Sequence, residues 1–138
     1  MRFMVIVKAD RNSEAGVMPS TDLLTAMGKF NEEMVKAGVM LAGEGLHPSS
    51  KGARIKYSGK ERTLTNGPFS GTGDLVSGFW LIQTKSLDEA ITWMKRAPLD
   101  GGAEIEIRQV FDADDFGEVL TPELRQQEQR LRAQAGKK

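Results

Sequence analysis

Twice along this chain a short apolar strand gives way to an amphipathic helix and then to another strand, and few folds accept that order. In the first pass Met4–Val7, bounded by Arg2 and Lys8, is expected as a buried strand. Residues 9–20 carry Asn, Ser, Gly and Pro and are expected as a loop. Ser20 or Thr21 then caps a helix whose apolar face holds Leu23, Leu24, Met27, Phe30, Met34 and Val35, and Gly38 supplies the left-handed residue that ends it. "VMLAGEGL" at 39–46 returns as a strand.

The second pass begins with "GFWLIQT" at 78–84, a continuous apolar strand expected to be buried on both faces. "SLDEAITWMKRAP" follows as a helix, with Ser86 and Glu89 as a capping box, Leu87, Ala90, Ile91 and Met94 inward, and Pro98 as its stop. "EIEIRQV" at 104–110 alternates, so Ile105 and Ile107 share one face and Glu104, Glu106 and Arg108 the other.

Between the passes, "ARIKYS" and "RTLTN" flank "GKE", which predicts a hairpin turning at Gly59. A last helix is expected from "TPELR", with Thr121 as cap and Pro122 in the first turn. The whole order is the split βαβ pattern of an α+β, ferredoxin-like domain with an inserted β-hairpin and a C-terminal helix. Both main helices then cover one face of an antiparallel sheet. The other face carries Met4 and Ile6 beside Glu104, Glu106 and Arg108, and this mixed apolar and charged surface predicts a homodimer enclosing a partly polar cavity.

Charge and composition narrow the function classes. Nineteen basic residues balance nineteen acidic ones, which argues against nucleic acid as the main partner, since phosphate contacts need an excess of Lys and Arg. Cysteine is absent, which excludes disulfides, thiolate zinc sites and cysteine nucleophiles. The apolar run at the start spans four residues, against roughly 7–15 for a signal peptide and about 20 for a membrane span. The expectation is a cytoplasmic protein with no membrane partner.

Four segments resemble the YCII-related proteins of the DGPF type: "EEMVKAGVMLAGEGLHPSS", "TLTNGPF", "SGFWLIQTKSLDEAITW" and "GGAEIEIRQVFDADDFGEVLTPELR". The resemblance implies that residues 1–120 are a YCII-related domain, with 121–138 as a C-terminal helix and frayed tail. It also implies that two ferredoxin-like subunits pair sheet to sheet into a dimeric α/β barrel. It brings no general reaction with it. Some relatives are encoded beside extracytoplasmic-function sigma factors, which implies a regulatory, protein-binding alternative. The signature Asp-Gly-Pro-Phe stands here as Asn66-Gly67-Pro68-Phe69, and the run after it is Gly71-Thr72-Gly73-Asp74. Smaller relatives place a histidine in the first helix, paired with an aspartate, and this helix has none.

What chemistry remains is sparse. His47 is the one histidine and the only side chain whose unperturbed pKa lies near neutrality. With Glu44, Asn66, Phe69, Thr72 and Asp74 it forms the candidate set for a small-molecule site in the barrel cavity, while Glu104, Glu106 and Arg108 are candidates for the interface or cavity wall. A lone histidine cannot anchor a transition-metal site without several carboxylates, so neither a metal nor another cofactor is expected. "SGTG" lacks the lysine of a phosphate-binding loop. Trp80 and Trp93 suit the core or an interface.

Overall fold

The computed structural model describes residues 1–136, apart from the side chain of Thr72. In chain order the elements are β1 (Arg2–Lys8), α1 (Arg11–Glu14), α2 (Thr21–Lys36), β2 (Met40–Gly45), β3 (Ala53–Ser58), β4 (Glu61–Asn66), β5 (Val76–Gln83), α3 (Leu87–Met94), β6 (Ile105–Gln109) and α4 (Pro122–Gln134). Short 3-10 turns lie at Ser49–Lys51, Thr72–Asp74 and Ala113–Val119. The main sheet runs β2-β5-β1-β6, antiparallel at every pairing, and β3-β4 is a separate two-stranded ribbon. This is the split βαβ arrangement, with each crossover helix leading to a strand that is not its neighbour in the sheet. Within one chain the sheet is open, with β2 and β6 as its edges.

Strand alternation divides the sheet into two faces. Toward the helices point Phe3 and Val5 of β1, Gly78, Trp80 and Ile82 of β5, and Ile105 and Ile107 of β6. They meet Phe30 and Met34 of α2, Val39, and Ala90 and Met94 of α3, all buried. Burying each large apolar side chain contributes roughly 1.5–3 kcal/mol, so this one cluster carries most of the fold's cohesion. Phe30 meets the Trp80 ring edge-on at 6.0 Å, a favoured aromatic arrangement.

The helices form where their caps allow. Ser20 accepts the N–H of Leu23, Ser86 that of Glu89, and Thr121 that of Leu124. Gly38 follows α2 with φ +72°, as its place after the helix predicts. The Glu89 carboxylate takes the N–H of Lys85 at 2.9 Å, one residue earlier than a capping box requires. The last helix starts at Pro122 behind its Thr121 cap, in agreement with the sequence.

Four expectations are corrected, the first being Leu87 of α3, which is exposed and not inward. Residues 9–20 are not all loop: Asp10 and Ser13 cap one another across the four-residue α1, a polar device that leaves no apolar period to detect. Leu23, Leu24 and Val35 lie exposed, so the inward stripe of α2 is the narrower Met27, Phe30, Met34 with Asn31. On β5, Phe79 and Leu81 are only half-buried, because the chain's helices cover one side of the sheet. No helix among the described residues is long and apolar enough to cross a membrane.

Candidate functional site

A hollow lies between α2 and the sheet, over the paired glycines of β2 and β5. Gly43 of β2 faces Trp80 of β5, and Gly45 faces Gly78. A Cβ on Gly43 would sit 2.7 Å from Met40 Cε and 2.9 Å from Trp80 Cδ1, and one on Gly78 would stand 3.0 Å from the Glu44 carbonyl oxygen. These positions hold glycine for close approach, not for turning. The indole of Trp80 lies against the Gly43 backbone and donates its N–H to Asn31 Oδ1 at 2.9 Å. Because indole nitrogen only donates, the amide oxygen of Asn31 must face it, which leaves the Asn31 NH2 group as a donor for an occupant.

The resulting cavity has a volume of about 260 Å³, bounded by Val7, Met27, Asn31, Trp80 and Leu99 around the backbone of 43–45 and 77–79. That is the room of roughly nine waters at about 30 Å³ each. Its side chains are apolar apart from Asn31, Ser77 and the flank of Glu44, and the backbone of 43–45 and 77–79 adds polar surface. The Ser77 hydroxyl leans toward the Val7 and Lys8 carbonyls at 3.5 and 3.4 Å. Alternation turns the Glu44 side chain to the opposite face from Gly43 and Gly45. The hollow thus offers hydrogen-bonding groups from Asn31 and Ser77 beside apolar side chains.

The Asn66-Gly67-Pro68-Phe69 loop does different work. The Gly67 N–H donates to the Gly52 carbonyl at 2.9 Å, and a Cβ at this position would stand 1.7 Å from the Ser49 carbonyl oxygen. The Gly67–Pro68 peptide is cis. Ser49 Oγ accepts the Phe69 N–H at 3.0 Å and donates to the Glu14 carboxylate at 2.5 Å, while the Ser49 N–H reaches the same carboxylate at 2.9 Å. The Ser49 hydroxyl and then its backbone N–H hold the Glu14 carboxyl below its ordinary value. Arg54 lies over the Phe69 ring, 3.9 Å from its centroid. The Ser49 hydroxyl, donating once and accepting once, is spent on joining the loop to α1.

The sequence-derived candidates therefore fall in separate places. Asn66 ends β4 opposite Ala53, and Phe69 docks on the Ser49 turn, two residues beyond an exposed His47. Leu46, just before that histidine, donates its N–H to the Ser77 carbonyl, so the segment runs beside the start of β5. Asp74 is exposed in the 72–74 turn, next to Leu75, whose carbonyl takes the Ala9 N–H. Thr72, as a side chain, lies outside the described residues.

On the open face, the pairings set Glu44, Phe79, Ile6 and Glu106 in one row, and Ala42, Leu81, Met4 and Arg108 in the next. Glu106 lies 3.7 Å from Lys8 and 3.2 Å from Arg108, so its charge is matched within the sheet. Glu104 lends its carbonyl to the Lys8 N–H and is exposed. Among the described residues no three of His, Asp and Glu come together closely enough to hold a metal ion.

Sequence reasoning missed Asn31, Glu14 and Ser49. Asn31 had a signal: it stands one turn beyond Met27 and next to Phe30, a polar residue on the inward side of an apolar helix. Glu14 and Ser49 are 35 residues apart and show nothing in sequence that pairs them.

A single split βαβ sheet with helices on one side, an inserted hairpin and a glycine-floored hollow define a ferredoxin-like α+β domain. The YCII-related domain matches residues 1–114, and the chain belongs to that family. An uncharacterised protein of Rhizobium meliloti (strain 1021) is 34% identical over 69 residues, which is 50% of this chain and 56% of that protein's own length. Among solved structures, 5-chloro-2-hydroxyhydroquinone dehydrochlorinase from Burkholderia phenoliruptrix AC1100, in complex with 2,5-dihydroxybenzoquinone, is similar with a TM-score of 0.40 at 19% identity. That similarity covers 81% of this chain and 96% of the other.

Proposed function

We propose that the protein is a homodimeric binder of a small, uncharged molecule with both apolar and hydrogen-bonding surface, held in the hollow between α2 and the sheet. The observation that carries this reading is the hollow of about 260 Å³ beside the fixed Trp80, where Gly45 leaves open space above the backbone of β2. Asn31 then supplies one directional hydrogen bond, and the absence of a titratable side chain facing the hollow favours binding over catalysis. Of the site candidates named from sequence, among the described residues only Glu44 borders this space, at its edge. The homodimer is supported by the half-buried Met4, Ile6, Phe79 and Leu81 in the middle of the open face, flanked by the charges of Glu44, Glu106 and Arg108.

Phenol and indole are suitable probes, since each is flat, neutral and small. Saturating either is expected to raise the melting temperature of the protein, because a ligand selective for the native state stabilises it. Leu99→Trp, which places a larger side chain at the wall, is expected to abolish the shift while leaving the unliganded protein folded. An equal shift in wild type and Leu99→Trp would remove the hollow as the site.

A further inference from the structure

The hydrogen bond between Trp80 and Asn31 governs which molecules the hollow can prefer. Trp80 is buried and meets the ring of Phe30 edge-on. It also lies so close to β2 that a Cβ on Gly43 would stand 2.9 Å from its Cδ1. The indole therefore has no room to turn, and its N–H stays on Asn31 Oδ1 at 2.9 Å. An indole N–H donates and the ring nitrogen never accepts. The Asn31 amide is thus held in one of its two orientations, with the oxygen on Trp80 and the NH2 group away from it.

Asn31 lines the hollow, and among the described residues its NH2 group has no hydrogen-bond partner. Among those residues no buried side-chain nitrogen or oxygen lacks a partner, so this NH2 group is not sealed in the core and is open to an occupant. The rest of the lining does not discriminate in this way. Val7, Met27 and Leu99 are apolar. Ser77 Oγ lies 3.5 and 3.4 Å from the Val7 and Lys8 carbonyls, too far to be held, and a hydroxyl both donates and accepts. Backbone N–H and C=O groups likewise serve either sense. Among the side chains that face the hollow, Asn31 alone presents a donor of fixed sense.

We propose that the hollow selects neutral molecules that present a hydrogen-bond acceptor, a carbonyl oxygen or a pyridine-type ring nitrogen, to Asn31, and that Trp80 sets this preference by orienting the amide. This rests on the small-molecule reading above and names the chemical class of the occupant. Asn31 is the binding residue, and Trp80 is a positioning residue that acts through it. A molecule with an acceptor replaces the water on the Asn31 NH2 group. One that only donates leaves that group unpaired, which costs more than the bond itself contributes. Without the indole the amide is free to turn over and present its oxygen, so that either kind of molecule is served.

Indole and 7-azaindole test this, because they share one shape and differ in a ring nitrogen that accepts a hydrogen bond. Indole enters on its apolar surface and its N–H, and 7-azaindole adds the acceptor. Both dissociation constants are read at about pH 8, where a carboxyl is ionised, from the methyl resonances of Leu99 in the wall of the hollow. The ratio of the two affinities is compared between variants, so that any general weakening cancels. Asn31→Asp keeps an oxygen for the Trp80 N–H and has no donor. It is expected to lower the preference for 7-azaindole about fivefold, the size of one net hydrogen bond. Trp80→Phe releases the amide and is expected to lower the preference as well, with thermal melts to check that it folds. The wild type gives a reading that needs no substitution: the Asn31 NH2 resonances are expected to shift further with 7-azaindole than with indole. A ratio equal in wild type and Asn31→Asp overturns the acceptor preference and leaves the hollow as a binding site. A ratio that falls in Asn31→Asp but holds in folded Trp80→Phe overturns the orienting role of Trp80. Leu99 resonances unmoved by both probes overturn the small-molecule reading itself, and this inference with it.

Discussion

Ser49 shows how a single hydroxyl can decide what a sequence signature is for. Its one proton goes to the Glu14 carboxylate and one of its two lone pairs to the Phe69 N–H, so it joins the Asn66-Gly67-Pro68-Phe69 loop to α1. Glu14 gives the join a pH dependence. Its carboxyl is held below the ordinary glutamate value of 4.5 in the folded state, so its stabilisation is fully present above that pH. The stabilisation is lost as the pH falls through the depressed value. Ser49→Ala removes the larger cause of the depression, and is expected to lower the melting temperature at neutral pH and to shrink the loss on acidification. Melts from pH 7 to pH 3 check this, and parallel curves for both proteins would show that the join contributes nothing. Asn66, Gly67, Pro68 and Phe69 were visible in sequence as a turn, but their purpose was not. The partner atoms belong to residues 14 and 49, which only the folded chain brings to them.

Elements were legible where period and caps agreed. β6 reads directly from the alternation of Ile105 and Ile107 with charged neighbours, and α3 from Ser86 and its i, i+4 pair Ala90 and Met94. α1 was hidden because Asp10 and Ser13 stabilise four residues with no apolar face at all. The width of the α2 stripe was overread, since Leu24 and Val35 look apolar in sequence whichever way the helix is turned. Packing against Phe3, Val5 and Trp80 sets that rotation, and local sequence does not. α4 lies beyond the residues that match the family and buries none of its own. It is proposed to be dispensable for folding: a chain ending at Leu120 is expected to keep its stability within about 1 kcal/mol, as for changes remote from a core. Urea unfolding measures this, and a larger loss would show that α4 belongs to the domain.

At the scale of the whole molecule, the two faces of one sheet carry two proposed roles. The helix side holds the hollow, and the open side carries a row in which Ile6 stands between Phe79 and Glu106. Ile6→Asp puts an uncompensated carboxylate in that row without touching the hollow, whose lining does not include Ile6. The variant is expected to sediment as a monomer at concentrations where wild type is a dimer, and a persistent dimer would place the interface elsewhere. The open face was foreseeable because strand alternation assigns it residue by residue. The hollow was not, because it depends on Gly43 and Gly45 of β2 arriving opposite Trp80 and Gly78 of β5.

The central claim, that the hollow beside Trp80 holds a small neutral molecule, is tested most directly by the indole N–H resonances during a titration with phenol or indole. Trp80 donates its N–H into the wall of the hollow, to Asn31, whereas Trp93 lies outside the lining, against Arg96. Binding there is predicted to shift the Trp80 resonance saturably and leave that of Trp93 in place. A Trp80 resonance unmoved at saturation, or shifts confined to Trp93, would contradict the account.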